Sequence, residues 1–226
     1  MGLAAIVAAV PGCRDRENPQ DSPSTGRTPT ATVSPAATPG RPRIVFLGDS
    51  LTAGLGVAPS EAYPALIERK LRDAGLAFDV VNAGVSGDTS AGGLRRLDWS
   101  LEGDVRVLVV ALGGNDGLRG LPASELRQNL SAILDRAEAR HIAVLLAGME
   151  APPNFGDAYT RGFRAVYRDL ARSHHVRFIP FLLDGVAGQS ALNQADGIHP
   201  TPEGHRAIAD LVWRELRPLL TPASTS

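Results

Sequence analysis

The sequence predicts an α/β fold: a three-layer α/β/α sandwich on a parallel sheet of five strands. Three observations point there. Short apolar runs alternate along the chain with stretches of helical periodicity. The 226 residues suffice for a single domain with a sizeable core. The residue types that carry chemistry cluster in turns just after the expected strands, and in a parallel sheet that is the edge where ligands bind.

The elements follow in order. Folded structure is expected to begin near Arg43, with Ile44-Val45-Phe46-Leu47 as a buried strand ended by Gly48-Asp49. Residues 60–73 read as a helix with Leu66, Ile67 and Leu71 on one face, and 78–81 as a second strand. A helix is expected over 89–98, then a strand from Val105 to Leu112 bounded by Gly113-Gly114. Residues 122–140 carry the clearest helical pattern, with Leu126, Leu130, Ile133, Leu134 and Ala137 in register and Pro122 opening it. Ile142–Leu146 is a fourth strand, 157–173 a helix and 176–181 a fifth strand. The last helix starts after Thr201, a suitable N-cap, with Pro202 at its first position, and runs to about Arg217. Residues 219–226 are expected to form a flexible tail beyond a domain spanning 43–218.

Composition excludes several classes. The net charge is −1 and no basic stripe is present, so the footprint of a nucleic-acid binder is missing. The lone cysteine, Cys13, excludes an intrachain disulfide and a cysteine-based zinc site. No apolar run is long enough to span a bilayer. Residues 1–13 combine a short apolar run with small residues before Cys13, as in a signal peptide, and Val10-Pro11-Gly12-Cys13 resembles a bacterial lipobox. Lipidation of Cys13, a plain secretory signal and an incidental cysteine are the three readings of this segment. Residues 14–42 are rich in Pro, Ser and Thr and are expected to be a disordered tether, because they cannot bury enough apolar surface to offset their conformational entropy. Together these features point to an extracytoplasmic protein, periplasmic or anchored to a membrane as a lipoprotein, and otherwise secreted.

Four motifs carry chemistry. Gly48-Asp49-Ser50-Leu51 follows the first strand, and a serine at such a turn is a nucleophile only if a base removes its proton. Asp196-Gly197-Ile198-His199-Pro200 precedes the last helix; its Asp and His can bend toward one point from a single loop. Ser86-Gly87-Asp88-Thr89 and Gly113-Gly114-Asn115-Asp116 follow the second and third strands and offer amide donors for a developing oxyanion. Each motif alone is also ordinary turn or cap chemistry. Their joint occurrence after successive strands favours the chemical reading.

In these blocks the chain resembles the GDSL, or SGNH, hydrolase family, and within it the bacterial periplasmic thioesterase–arylesterase–lysophospholipase group. The resemblance spans roughly residues 43–218. It implies a flavodoxin-like sandwich, no metal or organic cofactor, and hydrolysis of carboxylic acyl esters or thioesters through an acyl-enzyme. Small acyl esters, thioesters or lysophospholipids are the implied substrates, and a monomer is expected. The resemblance assigns Ser50 as nucleophile, His199 as general base and acid, and Asp196 as its orienting carboxylate. The Ser50 and Gly87 amides and the Asn115 side chain become the oxyanion hole. Leu118, Pro153, Asn154 and Phe155 are candidate acyl-pocket residues. Asp49 is read as structural and Asp116 as bracing the Asn115 loop. Arg95, Arg96, Arg119 and Arg161 are read as solvated, and His141, His174, His175 and His205 as surface or helix-end histidines. A low aromatic content suggests broad specificity with short to medium acyl chains. A carbohydrate O-acetylesterase of the same family and a non-catalytic binding domain are the alternatives.

Overall fold

The structure, a computed structural model, describes residues 40–220. The expectations for the segment 1–13, for Cys13 and for most of the 14–42 stretch lie outside the described residues.

Five strands form one parallel sheet in the order β2-β1-β3-β4-β5. β1 (Arg43–Gly48) and β3 (Val105–Ala111) lie at its centre. Ile44, Val45, Phe46 and Leu47 of β1 are all fully buried. A strand buried on both faces reads as a continuous apolar run, which is why the sequence shows no alternation here. Each such side chain contributes roughly 1.5–3 kcal/mol by leaving water. β2 (Asp79–Gly84) pairs with β1 in register from Arg43–Asp79 to Gly48–Gly84. β4 (Ala143–Ala147) and β5 (Arg177–Ile179) complete the sheet.

Helices cover both faces. α2 (Tyr63–Asp73) packs with α8 (Pro202–Leu216) in one layer. α3 (Ser90–Arg95), α6 (Ala123–Ala139) and α7 (Asp157–Ser173) pack in the other. The five apolar residues expected on one face of α6 are all buried. Thr201 caps α8, its hydroxyl accepting from Gly204 N–H.

Several boundaries differ from expectation. The helix expected over 60–73 is a 3-10 turn at Pro59–Glu61 followed by α2. β2 runs on to Gly84 because its pairing with β1 continues. The helix expected over 89–98 breaks at Arg96 into α3 and α4 (Leu97–Ser100), where the Arg96 side chain turns inward. Pro122 is the N-cap of α6 rather than its first residue. β5 stops at Ile179, since Pro180 has no N–H to continue a ladder. A 3-10 turn at Arg217–Leu219 and a buried Leu220 extend the packed structure past 218.

The chain leaves β1 for β2 on one side and then crosses to β3 on the other. The switch point of the sheet therefore lies between the carboxyl ends of β1 and β3, where such folds bind ligands.

Candidate active site

Ser50 opens α1 (Ser50–Ala53), a single turn directly after β1. Asp49 caps that turn, its Oδ1 accepting from Leu51 N–H at 3.1 Å. Thr52, fully buried, shares a hydrogen bond with the Tyr63 hydroxyl at 2.8 Å, and its carbonyl accepts from Asn82 at 2.9 Å. The turn carrying Ser50 is thus bound to both α2 and β2.

His199 reaches this serine from the loop before α8. Its Nε2 lies 3.0 Å from Ser50 Oγ and its Nδ1 lies 2.6 Å from Asp196 Oδ2. The second carboxylate oxygen of Asp196 accepts from the Ile198 and His199 N–H groups at 2.9 and 3.0 Å. The bond from the imidazole, then the two amides, holds the Asp196 carboxyl well below the usual carboxylate range. With a carboxylate on Nδ1, the neutral ring carries its proton there and offers Nε2 as acceptor to the hydroxyl.

Asn115 stands in α5 (Gly114–Leu118), directly after β3. Its amide nitrogen donates to Asp88 carbonyl at 2.9 Å and lies 3.4 Å from Asp49 Oδ2. Gly87 occupies the turn after β2 with a φ of +84°, in the left-handed region that favours glycine. Among the described residues, the Ser50 and Gly87 N–H groups meet no protein acceptor. Asp49 is buried beneath this cluster, and burial pushes its carboxyl up to about 6. Asp116 reaches away from the serine and accepts from the backbone and hydroxyl of Ser90, tying α5 to α3.

A cavity of about 440 Å³ opens beside Ser50 and His199. Leu118 and Pro153 line it, as expected. Asn154 and Phe155 do not: both are exposed on the 3-10 turn Pro153–Phe155, and Phe155 packs at a tilted angle against Tyr159. Ala151, in the same loop as Pro153, adds apolar wall, and Met149, Phe181, Leu183 and Ala187 supply wall that sequence reasoning missed. Residues 181–187 follow β5, so the strand-end rule was a signal available for them.

Two further expectations are corrected. Arg96 is not solvated. Its guanidinium pairs with Asp88 at 2.7 Å and donates to the carbonyls of Ala83 and Gly48, at the ends of β2 and β1. It joins the Ser50 turn to the Gly87 turn. His205 stands near the start of α8, as a helix-end histidine, but not on the surface. It is fully buried, its Nδ1 accepts from Tyr63 N–H at 3.3 Å, and its Nε2 has no hydrogen-bond partner among the described residues. Burial lowers its pKa to about 4, so the ring is neutral near pH 7. Arg119 is exposed and donates to Gly87 carbonyl at 2.9 Å, while Arg161 pairs with Asp157 of its own helix. Among the described residues, Asp135, Glu138 and His174 bring potential metal-ligand atoms within 4.8 Å of one another, at the opposite edge of the sheet.

A sequence model of the GDSL-like lipase/acylhydrolase family matches residues 46–207. The chain is 43% identical to the esterase TesA of Pseudomonas aeruginosa over 78% of its own length and 89% of that protein. It is 39% identical to the thioesterase 1/protease 1/lysophospholipase L1 of Escherichia coli, over 78% of this chain and 84% of that one. The crystal structure of TesA superposes with a TM-score of 0.76 at 43% identity, covering 79% of this chain and 99% of that chain. A fold with its switch point at Ser50, and relatives matched over nearly their whole length, lead to one conclusion: the chain belongs to the GDSL-like lipase/acylhydrolase family and is a serine ester hydrolase.

Proposed function

We propose that Ser50, His199 and Asp196 act as the catalytic triad, and that the Ser50 and Gly87 N–H groups with the Asn115 side chain form the oxyanion hole. The supporting observation is the unbroken chain of hydrogen bonds from Ser50 Oγ through the imidazole to Asp196, at 3.0 and 2.6 Å. His199 Nε2 takes the Ser50 proton as Oγ attacks the acyl carbon. In this reading the oxyanion is met by the Ser50 and Gly87 N–H groups, which have no protein acceptor among the described residues, and by the Asn115 amide, which must turn toward it from Asp88 carbonyl and Asp49. Collapse breaks the bond to the leaving group, which departs with the proton from His199. Water, deprotonated by the same imidazole, then releases the acid and restores Ser50.

The substrates are carboxylic acyl esters, aryl esters among them, with thioesters and lysophospholipids as further members of the class. The apolar wall from Met149 to Ala187 supports an acyl chain rather than a carbohydrate acetyl group as the recognised part. Leu118 and Pro153 are acyl contacts in this reading. The cavity of about 440 Å³ suits short to medium chains. The enzyme works as a monomer outside the cytoplasm, and the N-terminal segment with Cys13 directs or anchors it there.

Ser50→Ala, with a preserved circular dichroism spectrum and Tm, tests the assignment. Hydrolysis of p-nitrophenyl butyrate should fall by roughly 10⁴-fold or more. A folded variant with unchanged turnover overturns it. A p-nitrophenyl ester series should peak below long chains, and mass spectrometry of the mature N-terminus reports on Cys13.

A further inference from the structure

The hydroxyl and the imidazole sit on chain segments 149 residues apart, and their alignment depends on what joins those segments. The Ser50 side belongs to the sheet. The loop carrying Asp196 and His199 lies outside any regular element; its buried anchor is Asn193, whose amide donates to the carbonyls of Val186 and Gln189 at 2.6 and 2.9 Å. Those bonds hold the loop to its own neighbourhood, not to the serine.

Among the described residues, two hydrogen bonds run directly from loop 189–201 to segment 49–57. One is the His199–Ser50 contact. The other is Gln194 Nε2 donating to Leu55 carbonyl at 2.8 Å. The same nitrogen donates to Pro200 carbonyl at 3.0 Å, and the Gln194 backbone N–H donates to His199 carbonyl at 2.7 Å. Leu55 N–H in turn donates to Ser50 carbonyl at 3.1 Å. A closed ring results: Ser50, Leu55, Gln194, and back through His199 to Ser50 Oγ. Both side-chain partners are carbonyl oxygens, so only an NH₂ satisfies them, and it uses both of its hydrogens. Gly56 leaves room for this amide, since a β-carbon there would meet Gln194 Oε1 at 2.2 Å.

We propose that Gln194 is a positioning residue that sets the distance between the Ser50 hydroxyl and the His199 imidazole by bonding Leu55 and Pro200 at once. It does not line the cavity beside Ser50 and touches no reacting atom. The inference rests on the triad assignment above. The Asp196–His199 pair is built within one loop and persists without the clamp; what changes is the approach of that pair to Ser50. Methionine keeps the length of glutamine but has no donor. Glutamate keeps its shape but turns a carboxylate oxygen toward two carbonyls.

Three measurements on full-length Gln194→Met and Gln194→Glu test this, at a temperature well below the Tm of each variant. They are kcat and KM for p-nitrophenyl butyrate, the rate of fluorophosphonate labelling of Ser50, and the downfield proton resonance of the His199–Asp196 hydrogen bond. With Met, kcat and labelling should fall by on the order of 10- to 100-fold, the range expected for a misplaced catalytic group. With Glu they should fall further. KM should stay within about twofold, because the cavity walls are untouched, and the downfield resonance should remain. Unchanged kcat in Gln194→Met overturns the proposal, whatever Gln194→Glu does. So does loss of the resonance together with activity, which would mean that the loop had come apart. Ser50→Ala run in parallel separates the two ideas: an active Ser50→Ala enzyme sinks the triad, whereas an inactive one beside a fully active Gln194→Met enzyme sinks only the clamp.

Discussion

The two halves of the site are built by different physics. The Ser50 half grows from the central strands. Its turn is capped by buried Asp49, held through Thr52 to Tyr63 and Asn82, and flanked by Asn115 after β3. Packing decides where those groups stand. The His199 half is a loop with half-exposed Asp196, and a handful of polar bonds decide where it stands. Damage should therefore reach the two halves by different routes: through steric pressure and burial on one side, through lost donors on the other.

The largest effect expected from a single donor lies in the packed half. Asn115→Ala should lower kcat by roughly 10²–10³-fold with little change in KM, as for other oxyanion-hole donors. Steady-state kinetics on short esters check this, and a loss below threefold would remove Asn115 from the role.

Two glycines sharpen the contrast. A β-carbon at Gly84 would lie 2.2 Å from the backbone nitrogen of Ala53, inside the Ser50 turn, where nothing flexible can give way. Gly84→Ala should cost roughly 3 kcal/mol, at the upper end of overpacking costs. Gly197, between Asp196 and Ile198, has a φ of +69° and no atom within 4 Å of its would-be β-carbon. Gly197→Ala should cost only about 1 kcal/mol, the strain of a left-handed residue. Urea unfolding of both variants gives the comparison, and equal costs would contradict it.

The last effect is a matter of sign. His205 has a folded pKa of about 4 against 6.5 unfolded, so its contribution to stability is lost as pH falls through that window. Asp49 has a folded pKa of about 6 against 3.8, so its contribution to stability grows as pH falls from about 6 to 4. The two oppose each other between pH 6 and 4. Replacing His205 with Asn, which keeps an acceptor for Tyr63 N–H, should leave the Asp49 contribution alone. Stability of that variant should then rise on acidification, by roughly 1 kcal/mol per pH unit. Asp49→Asn should show the reverse slope. Denaturant midpoints at pH 4, 5 and 6 decide it.

Local patterns were legible in the chain because their causes are local. The buried run of β1, the apolar face of α6 and the Thr201 cap depend on neighbours within a few residues, and each stands where the pattern put it. The Ser, Gly, Asn and Asp-His blocks were legible too, because each follows a strand or precedes a helix with a readable boundary. Arg96, His205 and Gln194 were not. Nothing near Arg96 in sequence says that its guanidinium will meet the carbonyl ends of two strands, and nothing near His205 says that Tyr63 will cover it. The family resemblance puts Phe155 at the acyl pocket, and the 3-10 turn Pro153–Phe155 leaves it exposed instead. The amino-acid sequence by itself determined the alternation of elements and which residue types stand at the carboxyl ends of the strands. Only the tertiary structure decided which polar side chains join the two halves of the site, because those partners lie up to 149 residues apart and meet only once the sheet has brought their segments together.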